Sequence, residues 1–396
     1  MQLLVCDLSP RKREQDRASK SRADFPSARP PCSDCAGAAP TTMRGPVRFA
    51  PDRTIRPSHF AAAALALLAA FLVGCGGGLD ATARDRPDML VELSDGRRLN
   101  FHCVGRGSPL VILESGYGAG VNGWGRVQPQ IARTTRVCAY DRAGYGFSDP
   151  GPLPRDGAAT ARDLDEALDA AGLHGPYVVV GFSAGGLYGR LFAARRPGEV
   201  QGLVLLDPTV EAIAPPGADG LQNLRRNARR CLSVAELSPP PPAGDPRWNG
   251  CMPRRGTPAE LTRIRSAESW RNQLSELDSI FGATSAQARR LDGLLRDVPT
   301  YVITASETAA SAPTLGYGDR QSLWELQHLR LALSSDRGYQ RTILSSHRIP
   351  SDRPEVVVET VRAMVQAVRA GAPPDPLPVS ETAPLESDGG FPEGPR

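Results

Sequence analysis

The chain has 396 residues, with 47 Lys and Arg against 43 Asp and Glu and a formal net charge of +4 at pH 7; that length suits one large domain or two small ones. The charge is uneven: residues 1–74 hold 11 basic and 6 acidic residues, among them both lysines, Lys12 and Lys20. The remainder is close to neutral and offers no basic stripe for nucleic acid.

Residues 60–73, "FAAAALALLAAFLV", are continuously apolar. The run is shorter than the ~20 residues a membrane-spanning helix needs and suits a signal-peptide core, with Arg44, Arg48, Arg53 and Arg56 as its positive flank. It leads into Leu72-Val73-Gly74-Cys75, which resembles a bacterial lipobox and implies lipidation of Cys75. An ordinary cleaved signal or an N-terminal anchor helix are the alternatives, and all three export the rest of the chain. Residues 1–42 are polar and without periodicity, so Met43 is a plausible true start. Cys32-x-x-Cys35 lies in that extension without a second ligand pair, which is weak ground for zinc, and no metal site is expected. Residues 75–88 are expected to form a tether.

From Met89 the pattern alternates strand and helix. "MLVEL" and "RLNFHCVG" flank the turn signal Ser94-Asp95-Gly96. Strands are expected at 109–115, 135–141, 177–181, 201–207, 299–306 and 339–346, and helices at 159–172, 184–195, 320–333 and 354–371, the last with Pro354 in its first turn and Gly371 past its end. Such alternation predicts an α/β fold with a mostly parallel eight-stranded sheet and helices on both faces. Residues 208–298 interrupt it with Pro- and Arg-rich sequence and two helices expected near 221–231 and 258–280. An insertion of this length between two strands reads as a lid over the strand ends. The tail, 372–396, is Pro-, Gly- and acid-rich and is expected to be disordered.

The stretch "VVVGFSAGGL" places a Gly-x-Ser-x-Gly pentapeptide between a β-branched run and a helix. A nucleophile on the tip of a parallel strand needs a sharp turn, and Gly181 and Gly185 remove the flanking side chains, so that Ser183 stands clear at a nucleophile elbow. The N-terminus of the following helix favours negative charge at the same spot. Ser needs a base. Of the five histidines, His59 is in the leader, His102 lies within a strand, His174 precedes one at the wrong end of the sheet and His328 is mid-helix. His347 follows the last strand on a Ser-rich loop from which it could reach Ser183.

"LESGYG", "YDRAGYGFSDP", "GFSAGG" and "SSHRIPSDRPEVVV" stand in the order of four α/β-hydrolase motifs, and over roughly residues 89–370 the chain resembles that family. The resemblance implies backbone N–H donors for an oxyanion from Tyr117 and Ala184. It offers two places for the triad acid, Asp207 at the end of one strand and Glu307 after the next; exported relatives with an "LESG…DRAG" pattern favour Asp207. It gives Asp141 and Arg142 a structural role in their loop. Its strand order makes Cys103 and Cys138 neighbours able to bridge. Cys231 and Cys251 bracket the Pro run and could staple the insertion, as suits an oxidising compartment. Trp124, Trp248 and Trp270 suit packing as well as substrate contact.

A surface-anchored serine hydrolase acting on a small-molecule ester, less readily an amide, without a cofactor, is the leading expectation. A non-catalytic binding lipoprotein on the same scaffold is the second. A nucleotide-dependent oxidoreductase is the third, on the strength of Gly118-x-Gly120-x-x-Gly123 with Asp141 further on. Dehalogenation would call for a carboxylate at position 183. The sequence leaves the oligomeric state open.

Overall fold

The computed structural model describes residues 86–211, 218–251, 258–291, 293–310, 322–372 and 374. The signal-like run, Met43, the Cys32/Cys35 pair, His59, Cys75, most of the 75–88 tether and nearly all of the 372–396 tail lie outside them. Among the described residues no helix is long and apolar enough to cross a membrane.

Eight strands form one sheet: β1 (Met89–Glu92), β2 (Arg98–Val104), β3 (Leu110–Glu114), β4 (Val137–Tyr140), β5 (Tyr177–Phe182), β6 (Val200–Leu206), β7 (Thr300–Ala305) and β8 (Gly338–Ile343). Their order is β1-β2-β4-β3-β5-β6-β7-β8. The β1–β2 and β2–β4 pairs are antiparallel, and every later pairing, from β3–β4 to β7–β8, is parallel. The longer helices are α1 (Gly157–Ala170), α2 (Gly185–Arg195), α3 (Ala218–Ala235), α4 (Pro258–Ile264), α5 (Ala267–Ser279), α6 (Leu323–Leu333) and α7 (Pro354–Ala370).

The central strands are buried on both faces, which is why they read as unbroken apolar runs rather than as alternations. Tyr177 and Val179 of β5 join one cluster with Leu164 and Leu168 of α1, Phe192 of α2 and Trp324 of α6. Val178 and Val180 join the other with Val357, Val361, Met364 and Val365 of α7. The strand's period of two thus divides adjacent valines between two cores.

Local chemistry sets the helix boundaries. Asp156 caps α1 through the Ala159 N–H, starting it two residues earlier than the apolar pattern suggests. Ser322 and Glu325 form a reciprocal capping box on α6. Ser266 accepts from the Ser269 N–H, so the helix expected over 258–280 is two helices, α4 and α5. Gly371 ends α7 in the left-handed conformation.

The segment between β6 and β7 has an apolar core of its own, built from Ala228, Cys231, Val234, Trp248, Cys251 and Trp270. A Cys231–Cys251 disulfide closes a loop with a sequence separation of 20, a constraint worth about 3 kcal/mol against the unfolded chain in the loop-entropy account. Cys103 and Cys138 are directly opposite on β2 and β4 and are joined as well. Trp248 and Trp270 donate their indole N–H groups to Pro241 and Ile264 carbonyls inside this lid; Trp124 is buried on the body, donating to Ser115 Oγ at 2.8 Å. Lid side chains dock on the body by accepting its backbone amides: Asn272 from Gly151 (2.7 Å), Ser275 from Arg155 (2.9 Å), Thr284 from Gly157 (2.8 Å) and Gln287 from Ala158 (2.9 Å).

Candidate active site

β5 ends at Phe182, α2 begins at Gly185, and the turn between them holds Ser183 at φ +54°, a left-handed conformation unusual outside glycine. The crowding explains the flanking residues. A Cβ at Gly181 would lie 2.6 Å from the Gly185 carbonyl oxygen, and one at Gly185 would lie 2.3 Å from that of Glu114. The Ser183 backbone is fixed as well: its N–H donates to Leu206 O (3.0 Å), and its carbonyl accepts from Gly186 and Thr209, both at 2.9 Å.

His347 lies on the loop after β8, half-buried, its ring 5.1 Å from that of Phe182. Its Nε2 is 3.0 Å from Ser183 Oγ and its Nδ1 is 2.7 Å from Asp207 Oδ2. A carboxylate only accepts, so Nδ1 carries the proton and the Nε2 lone pair faces the serine hydroxyl. The loop is pinned behind the ring: Ile349 N–H donates to the His347 carbonyl at 3.0 Å, Ser346 bonds to Asp352, and Arg353 donates to the Leu344 carbonyl at 2.8 Å.

Asp207 follows β6 with φ +39° and is fully buried. Its Oδ1 accepts from Ala305 N–H at 3.1 Å and from the Trp324 indole at 2.9 Å, leaving Oδ2 for His347. Burial alone would raise its pKa; the His347 hydrogen bond and charge, with smaller help from His328 and Trp324, outweigh it and hold the carboxyl below the ordinary aspartate value. Glu307, the alternative acid, is exposed on the short helix Ser306–Ala310, where its backbone N–H donates to Ser345 O.

The other described histidines sit elsewhere. His102 pairs with Asp88 on β2, and His174 is exposed before β5. His328 is completely buried: Nε2 donates to Pro208 O at 2.9 Å, Nδ1 meets Thr304 Oγ1 at 2.8 Å, and burial lowers its pKa. Trp324 and His328 brace Asp207 and the residue after it, yet the sequence reading assigned neither a role. Their spacing of four puts both on one face of α6, the only local signal available.

The strand-3 turn lies beside Ser183, since a Cβ at Gly116 would be 3.0 Å from Ser183 Cβ. Tyr117 and Ala184 flank this spot and share an apolar cluster with Leu187 and Tyr188 of α2 and Leu277 and Ile280 of the lid. Beneath the turn, the buried Arg142 guanidinium bonds Glu114 Oε1 (2.9 Å), Glu276 Oε1 (2.9 Å) and the carbonyls of Ser115 (2.6 Å) and Gly116 (2.9 Å). Tyr140 donates to Glu114, and Tyr188 donates to Glu276 at 3.0 Å. Burial pushes the Glu114 carboxyl up to about 7, with Arg142 and Tyr140 pulling the other way.

Asp141 is occupied within its own loop, accepting from Asn100 Nδ2 (2.8 Å), Val121 N (2.9 Å) and Phe147 N (3.1 Å). Gly118, Gly120 and Gly123 fall in a turn and a single 3₁₀ turn, Val121–Trp124. The helix that would present its N-terminus to a pyrophosphate is replaced there by this short turn.

The sequence profile of the alpha/beta hydrolase fold matches residues 109–269. An uncharacterized protein of Bacillus subtilis, YqjL, is 23% identical over 256 residues, covering 65% of this chain and 83% of its own length. A 2-hydroxy-6-oxo-2,4-heptadienoate hydrolase of Pseudomonas putida is 36% identical over 118 residues, 29% of this chain and 42% of that enzyme. An uncharacterized protein of Schizosaccharomyces pombe is 43% identical over 81 residues, 20% of this chain, which spans only 15% of that protein. Among solved structures, the epoxide hydrolase CorEH aligns with a TM-score of 0.52 at 18% identity, over 71% of this chain and 99% of that one. The enol-lactonase of Burkholderia xenovorans LB400 aligns with a TM-score of 0.51 at 19% identity, over 70% and 100%. Strand order, elbow, matched profile and structural neighbours agree that this chain has the α/β-hydrolase fold.

Proposed function

We propose that the protein is a serine hydrolase that cleaves a small carboxylic ester through an acyl-enzyme, with Ser183 as nucleophile, His347 as base and Asp207 as the orienting acid. The observation that carries this reading is the unbroken hydrogen-bonded line from Ser183 Oγ through His347 to the buried Asp207. As Oγ bonds to the substrate carbonyl carbon, its proton passes to His347 Nε2, and the positive imidazolium is stabilised by Asp207. The oxyanion so formed is met by the Tyr117 and Ala184 N–H groups. The carbonyl carbon then sheds the alkoxide, which takes the proton from Nε2 and leaves as the alcohol; water, deprotonated by His347, repeats the sequence and frees the acid. The names of the P. putida hydrolase and the B. xenovorans lactonase support a hydrolytic reaction. Esters are preferred over amides by analogy with other enzymes on this fold.

Anchoring at the cell envelope through a lipidated Cys75 belongs to the same proposal. The two disulfides support an oxidising compartment. One fractionation experiment tests both parts. In expressing bacteria, p-nitrophenyl acetate hydrolysis should sediment with membranes, vanish in Ser183→Ala, and move to the soluble fraction in Cys75→Ala. Full activity in Ser183→Ala would sink the chemistry, and soluble activity in the unmodified protein would sink the anchor.

A further inference from the structure

We propose that Arg142 is a positioning residue for the oxyanion donor at Tyr117, and that Glu276 of the lid sets its position. This rests on the serine-hydrolase reading above. In a trans peptide the C=O and the following N–H point in opposite directions, and the Gly116–Tyr117 bond is not among the cis peptides. Arg142 Nη2 holds the Gly116 carbonyl at 2.9 Å, and Nη1 holds the Ser115 carbonyl at 2.6 Å. The Tyr117 N–H is thereby turned away from the buried guanidinium. The turn itself runs against the Ser183 side chain, so the arrangement presents the N–H on the side where an oxyanion develops.

The fork is held from two directions. Glu114, the last residue of β3, takes one nitrogen. Glu276, on α5, takes the other and also accepts the Tyr188 hydroxyl of α2. The Tyr145 and Tyr188 rings lie 4.9 and 5.1 Å from the guanidinium carbon, which fixes its plane. The lid is therefore joined by one charged contact to the peptide that must be aimed. An oxyanion donor works by preorganisation, and a planar fork can grip two carbonyls and two carboxylates where an ammonium cannot.

The test compares Arg142→Lys, Arg142→Gln and Glu276→Gln with wild type, using an activated ester and a trifluoromethyl ketone whose hemiketal oxyanion mimics the transition state. Active sites are counted by complete fluorophosphonate labelling, so that loss of folded protein is separated from loss per site. The Arg142 variants should lose about 10²-fold in kcat per titrated site with KM within a few-fold. Their affinity for the ketone should fall in parallel, and Glu276→Gln should lose about 10-fold by both measures. A purely structural residue would lower the number of titratable sites and leave kcat per site and ketone affinity at wild-type values; that result overturns the proposal. If neither Arg142 variant folds, Glu276→Gln decides alone, with unchanged kcat and ketone affinity as the contradicting outcome. Wild-type enzyme that takes no fluorophosphonate would instead overturn the serine-hydrolase reading itself.

Discussion

At the scale of single residues, the site depends on two side chains held in uncommon backbone conformations. Ser183 and Asp207 are the non-glycine residues with positive φ among those described. They follow adjacent parallel strands, and each is turned so that a side-chain oxygen meets His347. Asp207 has its second oxygen occupied by Ala305 and Trp324, so the carboxylate cannot swing away from the ring. Replacing it with Asn should reverse or loosen the imidazole and cost on the order of 10⁴ in kcat, the scale seen when a triad acid is so replaced. Glu307→Gln should stay near wild type. Steady-state kinetics on both variants check the assignment, and loss of turnover in Glu307→Gln alone would contradict it. Sequence could nominate both acids but not choose between them on physical grounds. The choice depends on where β7 stops and a short helix starts, and on Trp324, 117 residues from its acceptor. Arg142 was legible only as part of a loop, because its partner Glu276 is 134 residues away.

At the scale of elements, the turn at Ser183 is tight because α2 lies almost against the strands. Gly185 sits where a side chain would strike backbone carbonyls of β3 and the residue after it, which have no freedom to retreat. Gly185→Ala should therefore destabilise the fold by about 2–3 kcal/mol through overpacking, read from urea unfolding. Gly244→Ala, on an exposed stretch of the lid with nothing near its Cβ, should stay within about 0.5 kcal/mol. Equal costs at the two positions would contradict the packing argument. Element type was readable throughout the sheet because β-branched runs and helical spacing are local. Boundaries were less so. The 258–280 stretch keeps an apolar pattern across a break that Ser266 makes by capping a new helix, and the short helix Ser306–Ala310 lies in what reads as a plain loop.

At the scale of the whole described domain, two apolar layers cover the sheet on its two faces while a separate cluster gives the lid its own core. The lid is docked through side-chain acceptors for body amides, through Leu277 and Ile280 against the elbow helix, and through Glu276 on Arg142. The segment between β6 and β7 places Leu277 and Ile280 in one cluster with Tyr117 and Ala184 and supplies none of Ser183, His347 and Asp207, all of which lie at the ends of strands β5, β8 and β6. The most direct measurement is intact-mass and peptide analysis after exposure to a fluorophosphonate. A single phosphonyl adduct per chain is expected, on Ser183, absent in Ser183→Ala and strongly slowed in a His347→Ala variant. An unmodified wild-type chain, or an adduct on any other residue, would contradict it.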